Sequence, residues 1–378
     1  MPIPRPVIRG RATVVGNVHV NRRRSDGRIN LSSNELLSAR VAEIHRTALA
    51  GLRPDQLTRY PVLDRATERI AAYFRMQPDE LVLTPGSDSA LRLIIQYHLR
   101  RGGGPVLLQD PNYAAWEQVA AGHGLRLRRV TAHLADPVEQ GAQLVAQASA
   151  TTGALIAVSV PNGLSGGSIP DADLRTLAEI SAERGHLLVV DACYQAFRGP
   201  LTEQTDRRGG PVLVVQSLSK SHGLAGARVA VLAGAPDLVA RLEPGPLEHA
   251  VSGLAVAAML NAVDHHGELT EVWSQVRARR EWCRAELAAL SPGPLPSDAN
   301  FVTAPVPAPW TSAQVTQRLS ERGYRIRNLS GSAGLDNCVR FTVGDADITE
   351  PFIDCLTEML LETAETAETG RHGYAVDF

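Results

Sequence analysis

The sequence predicts an α/β protein with a mainly parallel central sheet flanked by helices and a smaller α+β C-terminal domain. Three observations carry this expectation. Short apolar, β-branched runs such as Ala154 to Val160 and Leu187 to Val190 alternate with stretches of helical spacing, the pattern of βαβ crossovers. The runs end in Pro, Asn, Asp or Ser, so polar loops gather at the strand ends where α/β sheets bind ligands. At 378 residues the chain exceeds the size at which one core usually stops growing, so a large and a small domain are expected. The expected division is an N-terminal arm over 1–30, a large domain over 31–265, and a linking helix with the small domain over 266–378.

Composition narrows the function classes. With 44% hydrophobic and 21% charged residues, the chain reads as an ordinary globular protein rather than a disordered one. A formal net charge of −2 leaves no electrostatic footprint for nucleic acid or an anionic membrane. The run Arg22 to Arg24 reads as a solvated turn. Cys193, Cys283, Cys338 and Cys355 are scattered without Cys-x-x-Cys spacing, so neither a metal site nor a disulfide framework is expected. The first residues have no apolar signal core, and no long apolar run occurs. The expectation is a cytoplasmic protein.

In chain order, residues 1 to 30 are rich in Pro, Arg and Gly and read as an arm over the body. Ser32, Ser33 and Asn34 precede Leu36 to Leu52, where they suit a helix N-cap. Arg59-Tyr60-Pro61 leads into Leu63 to Phe74, whose apolar residues recur at helical spacing. Leu81 to Thr84 is a short strand, and Gly86-Ser87-Asp88 open a helix to about Arg100. Free N–H groups at such a start, with the helix dipole behind them, favour a bound anion. Val106 to Gln109 is a second strand, followed by Tyr113 and by Trp116, which the pattern assigns to the core. Ala154 to Val160 ends at Pro161-Asn162-Gly163-Leu164-Ser165-Gly166-Gly167, and a helix with Leu174, Leu177 and Ile180 follows. Leu187 to Val190 delivers Asp191 and Tyr194; a carboxylate buried at that strand end requires a cation. Val229 to Gly234 is a further strand, and Pro236 to about Ser252 continues in helical segments. Glu268 to Leu290 reads as the linking helix, and the small domain starts near Pro292. From Glu362 the tail reads as a fraying helix end.

The chemistry concentrates between Ser217 and Arg228, just after the apolar run Pro211 to Val215. A lysine at the mouth of a buried strand, among small residues, loses hydration and hence basicity, which favours Schiff-base chemistry. Lys220 is that lysine, with Ser217 and Ser219 beside it. Arg228 follows across a glycine-containing turn, so lysine and arginine can meet one ligand through its carbonyl and its phosphate. Pyridoxal 5'-phosphate has both parts.

The pattern S-x-S-K-x-x-G-L-A-G-x-R resembles the cofactor-lysine motif of fold-type I pyridoxal-phosphate enzymes, in the class I/II aminotransferases and nearest the histidinol-phosphate aminotransferase branch. The resemblance runs over about residues 29 to 360. It implies that Lys220 carries the cofactor as a Schiff base, with Ser217, Ser219 and Arg228 on the phosphate together with Gly86, Ser87 and Asp88. The last three resemble "GSDE", with Ser89 where glutamate is usual. Asp110-Pro111-Asn112-Tyr113 resembles the "PTY" segment, whose tyrosine stacks on the pyridine ring. Asp191-Ala192-Cys193-Tyr194 resembles "DEAY", which implies that Asp191 holds the ring nitrogen and Tyr194 donates to the 3'-oxygen. Ile29 to Glu35 resembles "LSSNENP", which borders the substrate pocket and makes Asn34 a substrate-binding candidate, although Leu36-Leu37 replaces Asn-Pro. Arg59-Tyr60-Pro61 matches "RYP", implying that Tyr60 reaches the cofactor phosphate of the other subunit in a homodimer with shared active sites. Asn300 to Thr303 resembles "NFV". Cys338 to Gly344 resembles "LRITVG", which implies that Arg340 grips a substrate carboxylate; the competing reading is a structural ion pair.

One loop departs from the family pattern. Where aminotransferases read "PNNPTG", with the second Asn donating to the cofactor 3'-oxygen, this chain has Gly163. Asn162 takes that role, and a share in the substrate site, only if the loop shifts by one residue. The expected reaction is transamination of an amino acid or related small amine. The same groups also serve decarboxylation, elimination, cyclisation or oxidation in specialised metabolism. A non-catalytic ligand-binding homologue is a third reading, against which no basic helix-turn-helix precedes residue 29.

Overall fold

The computed structural model describes residues 27–199, 210–242, 250–290 and 292–369; the arm as far as residue 26, with Arg22 to Arg24, and the tail beyond residue 369 lie outside them. Twelve strands are described: β1 (Ile29–Asn30), β2 (Leu81–Thr84), β3 (Val106–Asp110), β4 (Leu127–Thr131), β5 (Leu155–Ser159), β6 (Leu187–Asp191), β7 (Val212–Ser217), β8 (Ala230–Gly234), β9 (Phe301–Pro305), β10 (Tyr324–Arg325), β11 (Arg327–Asn328) and β12 (Cys338–Thr342). The helices are α1 (Ala39–Ala50), α2 (Asp55–Thr58), α3 (Asp64–Tyr73), α4 (Ser87–Arg100), α5 (Ala114–Gly122), α6 (Pro137–Ser149), α7 (Asp171–Arg184), α8 (Leu218–Ser221), α9 (Pro236–Ala240), α10 (Gly253–Asp264), α11 (His266–Glu286), α12 (Ser312–Glu321) and α13 (Ala346–Thr369). None of them is long and apolar enough to cross a membrane among the described residues.

Seven strands form the central sheet in the order β2-β8-β7-β6-β5-β3-β4, with β8 antiparallel to both its neighbours and the remaining pairs parallel. Strands β5, β6 and β7 are buried on both faces, which is why they read as continuous apolar runs. Alternation still sorts their side chains. Leu155, Leu187, Val189, Leu213 and Val215 pack with α4 and α5 around the fully buried Trp116, while Ile156, Val158, Leu188, Val190 and Val212 pack with α6 and α7 on the other face. Strand β4 was not predicted. It lies at the sheet edge, where Arg128 and Arg129 face solvent and break the apolar signal, as charged edge strands do.

The C-terminal part carries a three-stranded antiparallel sheet, β11-β12-β9. The N-terminal segment is tied to this part: β1 and β10 form a separate two-stranded parallel sheet, and Thr342 of β12 donates its N–H to the Leu31 carbonyl at 2.8 Å. One apolar core runs between the two parts, uniting Leu31, Phe74, Leu83 and Phe197 with Phe341 and Phe352. The helix expected from Leu36 begins only at Ala39, with Ser38 at its N-cap position. Asn34 is therefore not a cap; it stands in the left-handed region at φ 54°, which asparagine tolerates better than most residues.

Phe341 is fully buried in the core that joins the two parts. Phe341→Ala is expected to lower unfolding stability by about 3–5 kcal/mol, measured by urea denaturation.

Candidate active site

The sheet topology gathers the motifs at one edge. Strands β3, β5, β6 and β7 run parallel and end there; β8 runs the opposite way and starts there, and β2, antiparallel to β8, also ends there. Residues from six strand ends thus meet where open α/β sheets bind ligands.

Lys220 stands on α8, a single turn directly after β7, and its Nζ donates to the Ser33 carbonyl at 2.6 Å. The Ser217 hydroxyl donates to that of Ser219 at 2.8 Å and accepts the Ser219 N–H at 3.2 Å, which caps the turn. The turn is also held from behind by a polar cluster that sequence reasoning missed. Trp273 Nε1 donates to the Ser221 carbonyl at 2.5 Å, and His45 Nε2 donates to the His222 carbonyl at 2.7 Å. The His222 ring bonds the Ser221 hydroxyl through Nδ1 at 2.7 Å and the Tyr73 hydroxyl through Nε2 at 3.0 Å. The Tyr73 hydroxyl also lies 3.0 Å from His266 Nδ1. Burial pushes the His222 imidazole down to about 3, with His266 and His45 adding to the effect, so it stays neutral. His45, Tyr73, His266 and Trp273 come from α1, α3 and α11, so no local pattern could have grouped them.

Asp191, the last residue of β6, is buried and accepts the Cys193 N–H at 3.1 Å. Burial raises its pKa, and the Asp88 carboxylate adds to the shift. Among the described residues it forms no ion pair with a cation. Tyr194 meets Phe301 edge-on at 5.4 Å and accepts a hydrogen bond from Asn34 Nδ2 at 2.9 Å. Burial raises its hydroxyl to about 12 against the opposing charge of Arg340 and the Asn34 bond.

Arg340 lies on β12, only 9% exposed, with its guanidinium 5.1 Å from the Phe301 ring centre. It donates to two carbonyls, that of Gly163 through Nη1 and that of Ser32 through Nη2 at 2.9 Å, and its buried Nε has no partner among the described residues. Burial lowers its pKa to about 10, which leaves it charged at neutral pH. Among the described residues no carboxylate pairs with it, so the structural ion pair weighed from the sequence is not formed. A buried cation on carbonyls alone is equipped to take an anion.

Gly86 caps α4 at φ 81° without a side-chain cap, and a Cβ there would stand 2.7 Å from Arg228 Nη2. Ser87 begins that helix. The Asp88 carboxylate accepts from Arg228 Nη2 at 3.3 Å and from the Tyr113 hydroxyl at 2.9 Å. A side chain so placed repels a phosphate, so any contribution of Asp88 to an anion comes through its N–H, as the expectation of free N–H groups at this helix start has it. Tyr113, 45% exposed at the start of α5, has its hydroxyl pKa raised by burial and by the charges of Asp88 and Asp191.

The altered loop also needs correction. Asn162 is 1% exposed, and its amide is spent within the fold: Nδ2 donates to the Pro111 carbonyl at 2.8 Å, while Oδ1 accepts the N–H groups of Leu164 at 2.9 Å and Ser165 at 3.1 Å. The one-residue shift that would turn it toward a ligand is not made. Gly163 lies against Tyr194 instead; a Cβ there would meet the tyrosine ring at 3.3 Å. Tyr60 sits on the connection from α2 to α3, 79% exposed, with Leu57 and Val62 also exposed.

Comparison with known proteins agrees with this fold. The family model described as Aminotransferase class I and II matches residues 26–358. A histidinol-phosphate aminotransferase of Symbiobacterium thermophilum is 30% identical over 340 residues, covering 89% of this chain and 91% of the relative. One of Chromobacterium violaceum is 30% identical over 347 residues, covering 90% and 94%. In fold, the chain is similar to the crystal structure of histidinol-phosphate aminotransferase from Sinorhizobium meliloti in complex with pyridoxal-5'-phosphate, with a TM-score of 0.75, 23% identity, and 88% of this chain and 91% of that one covered.

The neutral His222 binds fewer protons in the folded chain than in the unfolded one. Its contribution to stability is therefore present above the ordinary histidine pKa of about 6.5 and lost as the pH falls toward 3. Melting temperature is expected to drop as the pH is lowered from about 7 to 4, and His222→Gln is expected to make that drop shallower.

Proposed function

This chain belongs to the class I and II aminotransferases and is a pyridoxal-phosphate-dependent enzyme; on that premise we propose that Lys220 is the residue that binds the cofactor covalently. The observation that carries the assignment is the meeting of Lys220, Asp191, Tyr194 and Arg228 at one sheet edge, beside a buried arginine that has no acidic partner among the described residues. Two features fit the group. Asp191 is a buried carboxylate in need of a cation, which a protonated pyridine nitrogen provides. Gly86, lacking a Cβ, lets the Arg228 guanidinium close on a helix start without a side-chain cap, so the arginine and free N–H groups lie together.

When bound, pyridoxal phosphate supplies the aldehyde that takes up an amino group and the ring that draws electrons from the bonds at Cα. The protein's residues do the remainder. Arg228, the first N–H groups of α4 and the hydroxyls of Ser217 and Ser219 hold the phosphate. Asp191 holds the ring nitrogen in its protonated form, and Tyr194 donates to the phenolic oxygen. Tyr113 covers one ring face. Lys220 would move a proton at the substrate Cα as general base. Arg340 takes an anionic group of the substrate and so fixes which bond at Cα is presented for cleavage.

The substrate in this reading is a small amine carrying a carboxylate or phosphate. The relatives named as histidinol-phosphate aminotransferases favour transamination over the other reactions of the same cofactor. We extend the proposal to a homodimer in which Tyr60 contributes to the phosphate site of the other subunit; the exposed Leu57, Tyr60 and Val62 support it as an apolar strip suited to burial. Residues 31–265 then form the cofactor-binding part and residues 266–378 the linking helix and small domain. A cytoplasmic setting belongs to the same reading, and four free thiols suit a reducing compartment.

Lys220→Ala is expected to abolish both the absorbance near about 420 nm and the borohydride-fixed cofactor, with loss of turnover. A variant still fixed by borohydride would overturn the assignment. Amine transfer to 2-oxoglutarate from a panel of amino compounds that includes histidinol phosphate, followed with the wild type, tests the reaction; release of CO2 or ammonia without keto product would refute transamination. Arg340→Lys is expected to raise KM for anionic substrates by about 10–100-fold with a smaller change in kcat, because an ammonium cannot reproduce the bidentate contact.

A further inference from the structure

Three consecutive residues of the N-terminal segment each touch a different residue of the site. The carbonyl of Ser32 accepts from Arg340, the carbonyl of Ser33 accepts from Lys220, and the side chain of Asn34 donates to Tyr194. The third contact is the informative one, because it is made by a side chain and meets a hydroxyl with only one proton to give.

Asn34 is 1% exposed and held on both sides by the C-terminal part. Its N–H donates to the Thr342 hydroxyl at 3.0 Å, and its carbonyl accepts from Asn300 Nδ2 at 3.2 Å. The side chain therefore has little freedom. Its Nδ2 lies 2.9 Å from the Tyr194 oxygen, and its Oδ1 is buried without a partner among the described residues. An amide nitrogen can only donate, so this bond uses a lone pair of the phenol and leaves the Tyr194 proton for another acceptor. The opposite amide orientation would turn Oδ1 to the phenol and consume that proton. The loop after β5 offers no competing side chain, since Gly163 lies against Tyr194 and the Asn162 amide is spent on Pro111, Leu164 and Ser165.

We propose that Asn34 is a positioning residue for Tyr194, donating to its hydroxyl oxygen so that the tyrosine proton is reserved for the phenolic oxygen of the cofactor. The inference rests on the reading of Lys220 and Tyr194 given above, and it moves Asn34 from the substrate to the cofactor side of the site. It also accounts for a glycine at position 163. The amide that supports the phenolic oxygen comes from the N-terminal segment, through Tyr194, instead of from the loop. The Asn34 bond acts on the Tyr194 hydroxyl in the matching direction, lowering its pKa and so strengthening it as a donor.

The test reads the lysine–cofactor linkage of the holoenzyme by its absorbance near about 420 nm as a function of pH, without turnover. A donor at the phenolic oxygen lowers the pKa of this linkage, so weakening that donor raises it. Asn34→Gly suits the left-handed backbone and adds no charge; it is expected to raise the titration midpoint by about one pH unit. Asn34→Asp keeps the shape but replaces a donor with an acceptor, and is expected to raise it as well. Tyr194→Phe is expected to raise it at least as far, and adding Asn34→Gly to Tyr194→Phe is expected to produce no further shift, since the asparagine acts through the phenol. If Tyr194→Phe shifts the midpoint and both Asn34 variants leave it unchanged, or if the double variant shifts additively, the positioning role is refuted while the cofactor reading stands. A wild-type protein without the band overturns both. Should Asn34→Gly not fold, the shape-preserving Asn34→Asp, alone and combined with Tyr194→Phe, decides the question.

Discussion

The site depends on charged groups held out of water at one edge of a sheet. Arg340 is a buried guanidinium resting on two carbonyls, and Asp191 a buried carboxylate with a peptide N–H as its partner. Each is costly where it stands and, in the proposed reading, is offset by a complementary ligand: an anion for the arginine, a protonated ring nitrogen for the aspartate. Burial depresses the pKa of the one and raises that of the other, which is the signature of groups placed for binding rather than for stability. The Ser217–Ser219 cap and the cluster around His222 hold the turn that carries Lys220 in register with them.

The fold makes this arrangement possible by joining its two ends. Strand β1 pairs with β10, so the segment that follows, Ser32 to Asn34, is anchored to the C-terminal sheet before it passes over residues on the central one. Arg340 donates to the Ser32 carbonyl from one side, while Lys220 and Tyr194 meet Ser33 and Asn34 from the other. The loop after β5 is similarly bound: Thr303 donates to the Leu164 carbonyl at 2.7 Å, and Asp298 to that of Gly166 at 2.8 Å. Both parts of the protein therefore contribute to one site, and the apolar core running between them fixes their separation.

Much of this was legible without coordinates. Strands β2, β3, β5, β6 and β8 were read to within one or two residues, because buried strands, parallel or antiparallel, give short apolar runs ended by turn residues. The edge strand β4 escaped because its solvent-facing arginines erase that signal. The helix start predicted at Leu36 was misplaced because Ser32, Ser33 and Asn34 have the composition of an N-cap, whereas tertiary hydrogen bonds to Thr342 and Asn300 claim Asn34 for a left-handed turn. In the proposed site, the motifs pointed to Lys220, Asp191 and Arg228, which the fold brings to one edge of the sheet. The direction of the Asn162 amide and the carboxylate of Asp88 between Arg228 and Tyr113 were not, since a motif gives residue types and spacing but not the direction of a polar side chain.

The sequence by itself determined the alternation of strands and helices and the family, and it singled out the lysine proposed to carry the cofactor, because periodicity and short-range spacing are properties of the chain alone. Tertiary structure decided which side chains share a hydrogen bond. Asn34 and Tyr194 are 160 residues apart, as are few pairs that a local pattern could relate. His45, Tyr73, His222 and His266 come together only because three helices pack behind one turn. Those contacts depend on distances of about 3 Å between groups remote in sequence, and only the closed fold sets distances of that kind.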